Sequence, residues 1–216
     1  MSGIAPKLAK GGLILLDPDT GTRKRIINLQ YNPDSLTRTL QPMGAGADSG
    51  DHLETLRLRG APIETIKLEA ELDAADGLSA PDQNPVMMQN GLAADLAALE
   101  TMVYPTESSL QSNQVLSMIG TIEIFPTNAD LVIFVWGRNK VVPVRLTEFT
   151  INEEAFDPNL NPIRAKVSLT FRVLSTNDLP FDSRGASIYL SYHRRKESLA
   201  KLSKGVASAF RTEGLP

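Results

Sequence analysis

The feature that most constrains this chain is a pair of long alternating segments in its last third. They predict two strands, at residues 141–156 and 162–174, joined by a turn at 157–161. In the second strand, apolar and polar residues point to opposite faces: Val167, Leu169, Phe171 and Val173 against Lys166, Ser168, Thr170 and Arg172. Both strands are about twice the usual length of ~5–6 residues, so their edges extend beyond a compact sheet. An unpaired edge either needs protection or recruits a partner strand, and the pattern therefore favours assembly over catalysis.

The apolar phase changes once inside the first of these strands. Val142, Val144 and Leu146 occupy even positions, whereas Phe149 and Ile151 occupy odd ones. Because side chains alternate strictly along a strand, a slip of one residue indicates a β-bulge, which bends and twists the strand.

The rest of the chain predicts a small mainly β fold. Alternating segments predict further strands at 12–16, 24–31, 37–41, 53–60, 65–72, 119–125 and 129–136. Leu92, Leu96, Leu99 and Val103 share one helical stripe and predict a single packed helix over 92–103. The polar segments 73–90 and 108–114 are interpreted as loops. Together they predict a mainly β (α+β) chain, an antiparallel β-barrel or sandwich with one packed helix and a long protruding hairpin.

The C-terminal segment differs from the body in charge. From Arg184 onward there are seven basic and two acidic residues, about +5, although the whole chain carries −3. We expect a basic helix over 185–204, and divide the chain into a β-barrel domain at 1–178 and a helical extension at 179–216. The opposite sign of the two parts suggests that the extension contacts an acidic surface, including one on another copy of the chain.

The composition argues against an enzyme and against a metal-binding or cofactor-binding protein. The chain has no cysteine and two histidines, and it contains no HExxH, Walker A or Gly-x-Ser-x-Gly sequence. We therefore expect no enzyme activity, no metal and no cofactor. The net charge of −3 predicts no general affinity for nucleic acid. The longest apolar run, Leu131–Trp136, is far shorter than the ~20 residues of a membrane span, so we expect no membrane insertion. No secretory signal is visible, which favours a chain made and kept inside the cell.

Several residues are candidates for subunit contacts. Trp136, the only tryptophan, is either a core or corner aromatic or a contact residue, since aromatic side chains are enriched at interfaces. Arg164 is either a solvated strand residue or the donor of an ion pair between subunits. The full set of candidate interface residues is Trp136, Arg164, Lys166, Ser168, Thr170, Arg172, Arg194, Arg195 and Lys196.

Four sequence elements occur in an order that resembles a known family. They are Leu-Gln-Tyr-Asn-Pro-Asp-Ser-Leu at 29–36, Thr-Ile-Lys-Leu-Glu-Ala-Glu-Leu-Asp-Ala-Ala-Asp at 65–76, Val-Trp-Gly at 135–137 and Pro-Ile-Arg-Ala at 162–165. The set resembles the contractile injection system tube-protein family, close to the baseplate adaptors called tube initiators. The first element and the pairing of the last two are the most specific parts.

The resemblance implies a tube-like β-barrel that forms a hexameric ring between a VgrG-like spike protein and the inner tube. The implied partners also include another tube-initiator layer and baseplate or sheath components. It implies cytoplasmic assembly within a particle that is later released or attached to a membrane. Members often carry a C-terminal LysM module, whereas this chain has a basic helix there, and Asn161 replaces the family's usual glycine before Pro-Ile-Arg-Ala.

Two other functions are open at this point. A monomeric β-sandwich that binds a peptide or glycan would need a cluster of aromatic residues, but the aromatic content is only 6% and is not clustered. An enzyme would need a catalytic constellation, and the sequence presents none.

Overall fold

The computed structural model describes residues 9–44, 57–118 and 129–204. Seven strands form one antiparallel sheet in the order β2-β1-β5-β6-β7-β4-β3. The strands are β1 (Gly12–Leu16), β2 (Arg23–Asn28), β3 (Leu36–Gln41), β4 (Ile63–Asp73), β5 (Leu131–Trp136), β6 (Lys140–Phe156) and β7 (Pro162–Val173). The helices are α1 (Ala75–Leu78), α2 (Pro85–Asn90), α3 (Ala93–Glu100), α4 (Glu107–Met118) and α5 (Arg184–Ala200), with a 3-10 turn at Pro81–Gln83. The mainly β, α+β fold class is confirmed.

The long ribbon is confirmed to within one residue at its ends. β6 and β7 pair from Val144 opposite Val173 to Phe156 opposite Pro162. The turn between them is fixed by Asp157, whose Oδ1 accepts hydrogen bonds from the backbone N–H groups of Asn159 at 2.7 Å and Asn161 at 2.8 Å. An acceptor of this kind replaces a backbone partner in a tight turn.

The predicted β-bulge is confirmed at the position of the phase change. The β6–β7 register shifts between Leu146 and Glu148, and again near Ala155. The first shift moves the core-facing residues of β6 from even to odd positions, so Phe149 lies opposite the buried Leu169. One extra residue in the longer strand therefore keeps a single apolar face along the whole ribbon.

The hydrophobic core lies on one face of the sheet. Its central residues come from β4 and β7, which present alternate side chains to the same side. They are Ile66, Leu68, Ala70, Leu72, Ala165, Val167, Leu169, Phe171 and Val173. Leu92, Leu96 and Leu99 cover this face from one side, and Tyr189 and Tyr192 of α5 cover it from another.

The prediction of a single helix over 92–103 is wrong in two respects. The helix runs only from Ala93 to Glu100, and Val103 is exposed instead of completing the buried stripe. The segments interpreted as polar loops contain α1, α2 and α4. These helices are short or rich in Ser, Gln and Asn, so neither periodicity nor propensity marks them, and α1 and α2 form where the chain turns back onto the end of the sheet.

Two predicted strands cannot be compared with the structure in full. The segment 119–125 lies outside the described residues, as do most of 44–50 and the first part of 53–60. In the described part of the latter, Leu58 forms an isolated bridge with Gly44. The division of the chain at residue 178 stays a prediction, and α5 packs against β6 and the core in the described structure.

The segment that follows β2 connects strands that lie at or next to the two opposite edges of the sheet. The Gln30 side-chain amide donates to the Asp73 carbonyl at 2.6 Å, and its oxygen accepts from the Asp73 N–H at 2.8 Å. β2 is an edge strand and β4 lies next to the other edge. The two hydrogen bonds therefore hold a sheet that curves around its core. Among the described pairings, none joins β2 directly to β3.

Candidate assembly surfaces

The first candidate surface is the outer edge of β6, defined as the side of Arg145–Phe156 that faces away from β7. On that side β5 pairs with β6 only up to Val144. Beyond this point β7 lies along one side, and no strand within the described residues lies along the other. The backbone groups on an unpaired strand edge are a template for another strand.

β7, in contrast, has a strand on each side. It pairs with β4 from Arg164 to Arg172 and with β6 along its length. The expectation that both strands of the ribbon leave backbone unpaired is therefore wrong for β7. Its ladder is completed within the chain, and among the described residues the unpaired edge of the ribbon is that of β6.

Two further edges are exposed in the described sheet. β2 and β3 are the terminal strands of the sheet order. β2 is exposed along almost its whole length and begins with Arg23, Lys24 and Arg25. β3 carries one basic residue, Arg38, whose guanidinium is bound to a buried carboxylate.

The sequence-predicted contact residues of β7 lie together on the polar face of the sheet, opposite the core. Arg164 Nε lies 3.1 Å from Asp73 Oδ2, and Lys166 Nζ lies 3.1 Å from Glu154 Oε1. Thr170 Oγ1 donates to Glu148 Oε2 at 3.2 Å, while Ser168 lies between Glu69 and Thr150. Arg172 forms an ion pair of 2.6 Å with Asp178.

These ion pairs shift the pKa values of some of the residues that form them. The hydrogen bond from the Glu154 carboxylate raises the pKa of Lys166. The pKa of Asp73 is lowered, mainly because its carboxylate accepts a hydrogen bond from the Ala75 N–H and also because Arg164 is close. Exposed pairs of this kind contribute little to stability. The face is a solvated ladder of alternating charges that a partner can contact.

Trp136 lies at the margin of the core. Its ring is half-buried and stacks on Phe134 with a centroid distance of 6.0 Å. A side chain at Gly11 would collide with the indole of Trp136. These contacts fit the reading of Trp136 as a corner aromatic.

The basic helix α5 is bound to the sheet by a buried carboxylate. Glu64 is only 3% exposed and accepts from Arg38 Nε at 2.8 Å and from the Tyr192 hydroxyl at 3.0 Å. Its second oxygen lies 3.0 Å from Lys196 Nζ. We call these four residues the Glu64 cluster, and it holds the middle of α5 against the start of β4.

In the Glu64 cluster, basic partners compensate for the unfavourable burial of the Glu64 carboxylate. Burial by itself raises the pKa of Glu64, but the hydrogen bonds from Lys196 and Arg38 outweigh it and the net pKa is lowered. Burial and the Glu64 carboxylate together raise the pKa of Tyr192, so its hydroxyl stays protonated and donates. The cluster is fully paired, as a buried charge must be.

The three predicted basic contact residues of α5 thus have different surroundings. Lys196 is bound to Glu64, and Arg195 donates to the carbonyl of Arg138. Arg194 is exposed, as are Lys201 and Lys204 beyond the helix end.

The sequence analysis did not identify Glu64, or the side-chain amides of Gln30 and Asn32, as residues that hold parts of the fold together. Glu64 stands in the same alternating phase as Ile66 and Leu68, and an acid in the core phase of a strand is a detectable signal of a buried pair. Gln30 joins β2 to β4, while the Asn32 amide accepts from the Gly11 N–H and donates to the Ala9 carbonyl, each at 2.9 Å. The segment at 29–36 therefore has a structural role in this fold.

In the described part of the chain, no group of three or more histidine or acidic residues is placed to hold a metal ion. None of the described helices combines the length and the apolar character that crossing a bilayer requires.

The comparisons with known proteins agree with the geometry. No curated protein matches the chain. The sequence model of the contractile injection system tube proteins matches residues 13–180, which include strands β2 to β7, all but the first residue of β1, and helices α1 to α4. The match extends over most of the 216 residues. The chain therefore belongs to the contractile injection system tube protein family, whose members are structural components of an injection particle.

Proposed function

We propose that six copies of this chain form a closed ring that connects the inner tube of a contractile injection system to its VgrG-like spike, as a tube initiator or baseplate adaptor does. The observation that carries the proposal is the outer edge of β6. The family assignment supports a structural role in a particle. The open edge supplies a physical reason for copies of the chain to associate side by side.

The outer edge of β6 favours a ring because of how strands pair. A neighbouring strand would supply hydrogen bonds to backbone groups of Arg145–Phe156 that have no strand partner among the described residues. The partner edge must lie elsewhere on the molecule, which makes the contact head-to-tail. A head-to-tail contact repeated around a rotation axis closes into a ring, and each junction repeats the same bonds.

Charge favours β2 over β3 as the partner edge. The outer edge of β6 carries Glu148, Glu153 and Glu154, the last of which is paired with Lys166. β2 begins with three consecutive basic residues, of which Lys24 is paired with Asp17 and Asp130. Opposite charges on facing strands stabilise pairing, and they also fix its register. The only basic residue of β3, Arg38, is already bound to Glu64.

The other surfaces of the ring contact the neighbouring layers of the particle. The polar face of the sheet, with Lys166, Ser168 and Thr170, forms one surface of the wall and is available to adjoining layers such as a second tube-initiator layer. The particle assembles in the cytoplasm, and its baseplate or sheath components contact the ring from outside. The ring acts by position and contact, so it needs neither catalysis nor a cofactor.

A cysteine-trapping experiment tests the ring. The chain has no cysteine of its own, so introduced cysteines report only the designed contact. Facing residues on adjacent strands have Cβ atoms ~4.5–5.5 Å apart, within reach of a disulfide after small adjustment. The variant Asn152→Cys with Ile26→Cys places one thiol on β6 and one on β2. In intact particles oxidised mildly, we expect a ladder of linked chains that ends at six.

The matched controls separate the possible contacts. The variant Asn152→Cys with Thr39→Cys probes β3 instead of β2, and a ladder there would transfer the partner edge to β3. Asn152→Cys alone should remain unlinked, because a head-to-tail junction does not bring two copies of β6 together. Dimers from the single variant would contradict a closed ring. Absence of linked chains from all three would favour a monomeric binding module.

A further inference from the structure

A groove lies between the edge strand β2 and three of the helices. It is bounded by β2 and the two residues after it on one side and by α1, α2 and α3 on the other, and its volume is about 510 Å³. Binding sites in proteins usually enclose ~300–1,000 Å³. The groove is therefore large enough to take a long side chain of a partner molecule, and a single chain forms all of it.

The floor of the groove is apolar. Leu29, Leu72 and Leu99, three residues of the hydrophobic core, line it. Met87 forms a wall beside Gly77, where any side chain would collide with the Met87 sulfur. A methionine side chain adapts its shape to what it contacts. This wall can therefore adjust to an aliphatic group that enters the groove.

Three polar side chains that line the groove already have partners within the fold. The amides of Gln30 and Asn84 donate to backbone carbonyls of neighbouring segments, at 2.6 Å for Gln30 and at 3.2 and 3.3 Å for Asn84. Asp76 Oδ2 accepts a hydrogen bond from the Tyr31 hydroxyl at 3.1 Å. These bonds hold the rim in place before a partner arrives, which reduces the entropy lost on binding.

Asp95 differs from these side chains because nothing in the fold is bound to its carboxylate. It lines the groove from the first turn of α3, and it forms no hydrogen bond or ion pair with another described residue. Asp95 is exposed, yet the surrounding protein removes enough water from the carboxylate to raise its pKa. Among the described residues, no basic side chain lines the groove. A partly desolvated anion without a counter-ion favours a cationic ligand.

We propose that this groove binds a basic side chain of a partner protein, a lysine or an arginine, with its aliphatic stem on the apolar floor and its charged group beside Asp95 and Asp76. Lysine and arginine bury their methylene groups along apolar surface while the charge stays at a polar rim. An apolar side chain would leave Asp95 without a counter-ion, and both carboxylates would repel an acidic one. The inference goes beyond the proposed ring and does not depend on it, because the groove is complete within one chain.

Nuclear magnetic resonance of the full chain, labelled at its methionine methyl groups, tests the site. The probe is the peptide acetyl-Ala-Leu-Lys-Leu-Ala-amide, and its matched control has norleucine in place of lysine, which keeps the stem and removes the charge. The Met87 signal, assigned as the one lost in Met87→Leu, should shift in a saturable way, whereas that of Met102, which does not line the groove, should stay constant. We expect the lysine peptide to bind at least about tenfold more tightly than the norleucine peptide.

Two variants assign the charge preference to Asp95. Asp95→Asn keeps the size of the side chain, and it should weaken binding of the lysine peptide about fivefold or more while leaving the norleucine peptide unaffected. Glu100→Gln removes a charge from the same helix outside the groove and should bind both peptides as wild type does. Methyl spectra without peptide show that each variant is folded.

Four results would overturn the proposal. They are no saturable shift of Met87 at up to ~10 mM peptide, equal binding of the two peptides, an Asp95→Asn variant that keeps the preference for lysine, and equal shifts of Met87 and Met102. Free n-butylammonium that binds as tightly as the lysine peptide would assign the groove to a small amine and would also overturn the protein partner.

Discussion

At the scale of single residues, the most consequential group is the Glu64 carboxylate. It occupies a position on β4 where alternation would otherwise place an apolar residue, and it binds side chains from β3 and α5. The sequence shows that an acid breaks the apolar phase there. The sequence does not show which basic side chains pair with Glu64, because Arg38 and Lys196 are 26 and 132 residues away along the chain.

We expect Glu64→Gln to lower the free energy of unfolding by roughly 2 kcal/mol, since it leaves Arg38 and Lys196 without their shared anion in a partly buried position. Urea unfolding followed by circular dichroism measures the change. Glu69→Gln is the matched control, because Glu69 lies on the same strand with its side chain exposed on the polar face. Its effect should stay within ~0.5 kcal/mol. Equal effects of the two variants would show that the Glu64 cluster does not stabilise the fold.

The same cluster predicts a pH dependence. The pKa of Glu64 is lower in the folded chain than its ordinary value, so the cluster stabilises fully above the unfolded pKa of ~4.3. That stabilisation is lost as pH falls through the lower folded pKa. The difference in unfolding free energy between wild type and Glu64→Gln should therefore be largest near neutral pH and shrink in acid. A difference that is constant or grows in acid would contradict the assignment.

At the scale of elements, the strands are what the sequence reveals best. The ribbon, its turn and its bulge follow from local alternation, because a strand with one buried face must alternate. α1 and α2 could not be predicted, since they have four and six residues and depend on contacts with the end of the sheet. Strand order is also beyond a local pattern, so the sequence did not show that β7 is central or that the outer edge of β6 has no strand partner among the described residues.

Hydrogen exchange tests the outer edge of β6 directly. In a strand paired on one side, alternate N–H groups point away from the partner and have no bond that slows exchange. In dilute monomer we expect alternate amides between Arg145 and Phe156 to exchange rapidly while those of β7 are protected. In assembled particles all of them should be protected. Uniform protection already in the monomer would show that the edge is covered within the chain.

At the scale of the whole molecule, the fold is a curved sheet whose exposed edges differ in charge, with basic residues on β2 and acidic residues on β6. The sequence indicated the basic C-terminal segment and the family, through elements such as Val-Trp-Gly at 135–137. It did not indicate that α5 packs on the core through Tyr189 and Tyr192. Packing of this kind joins residues far apart in the chain and is set by the complete fold. Removal of the chain from Arg184 onward would therefore expose core.

A cryo-electron microscopy map of the intact particle at side-chain resolution is the most direct test of the proposed ring. We expect a strand from a neighbouring copy beside Arg145–Phe156, at the ~4.8 Å spacing of a sheet, in each of six junctions around the ring. A map in which this edge is paired with a segment of its own chain, or faces solvent in the assembled particle, would contradict it.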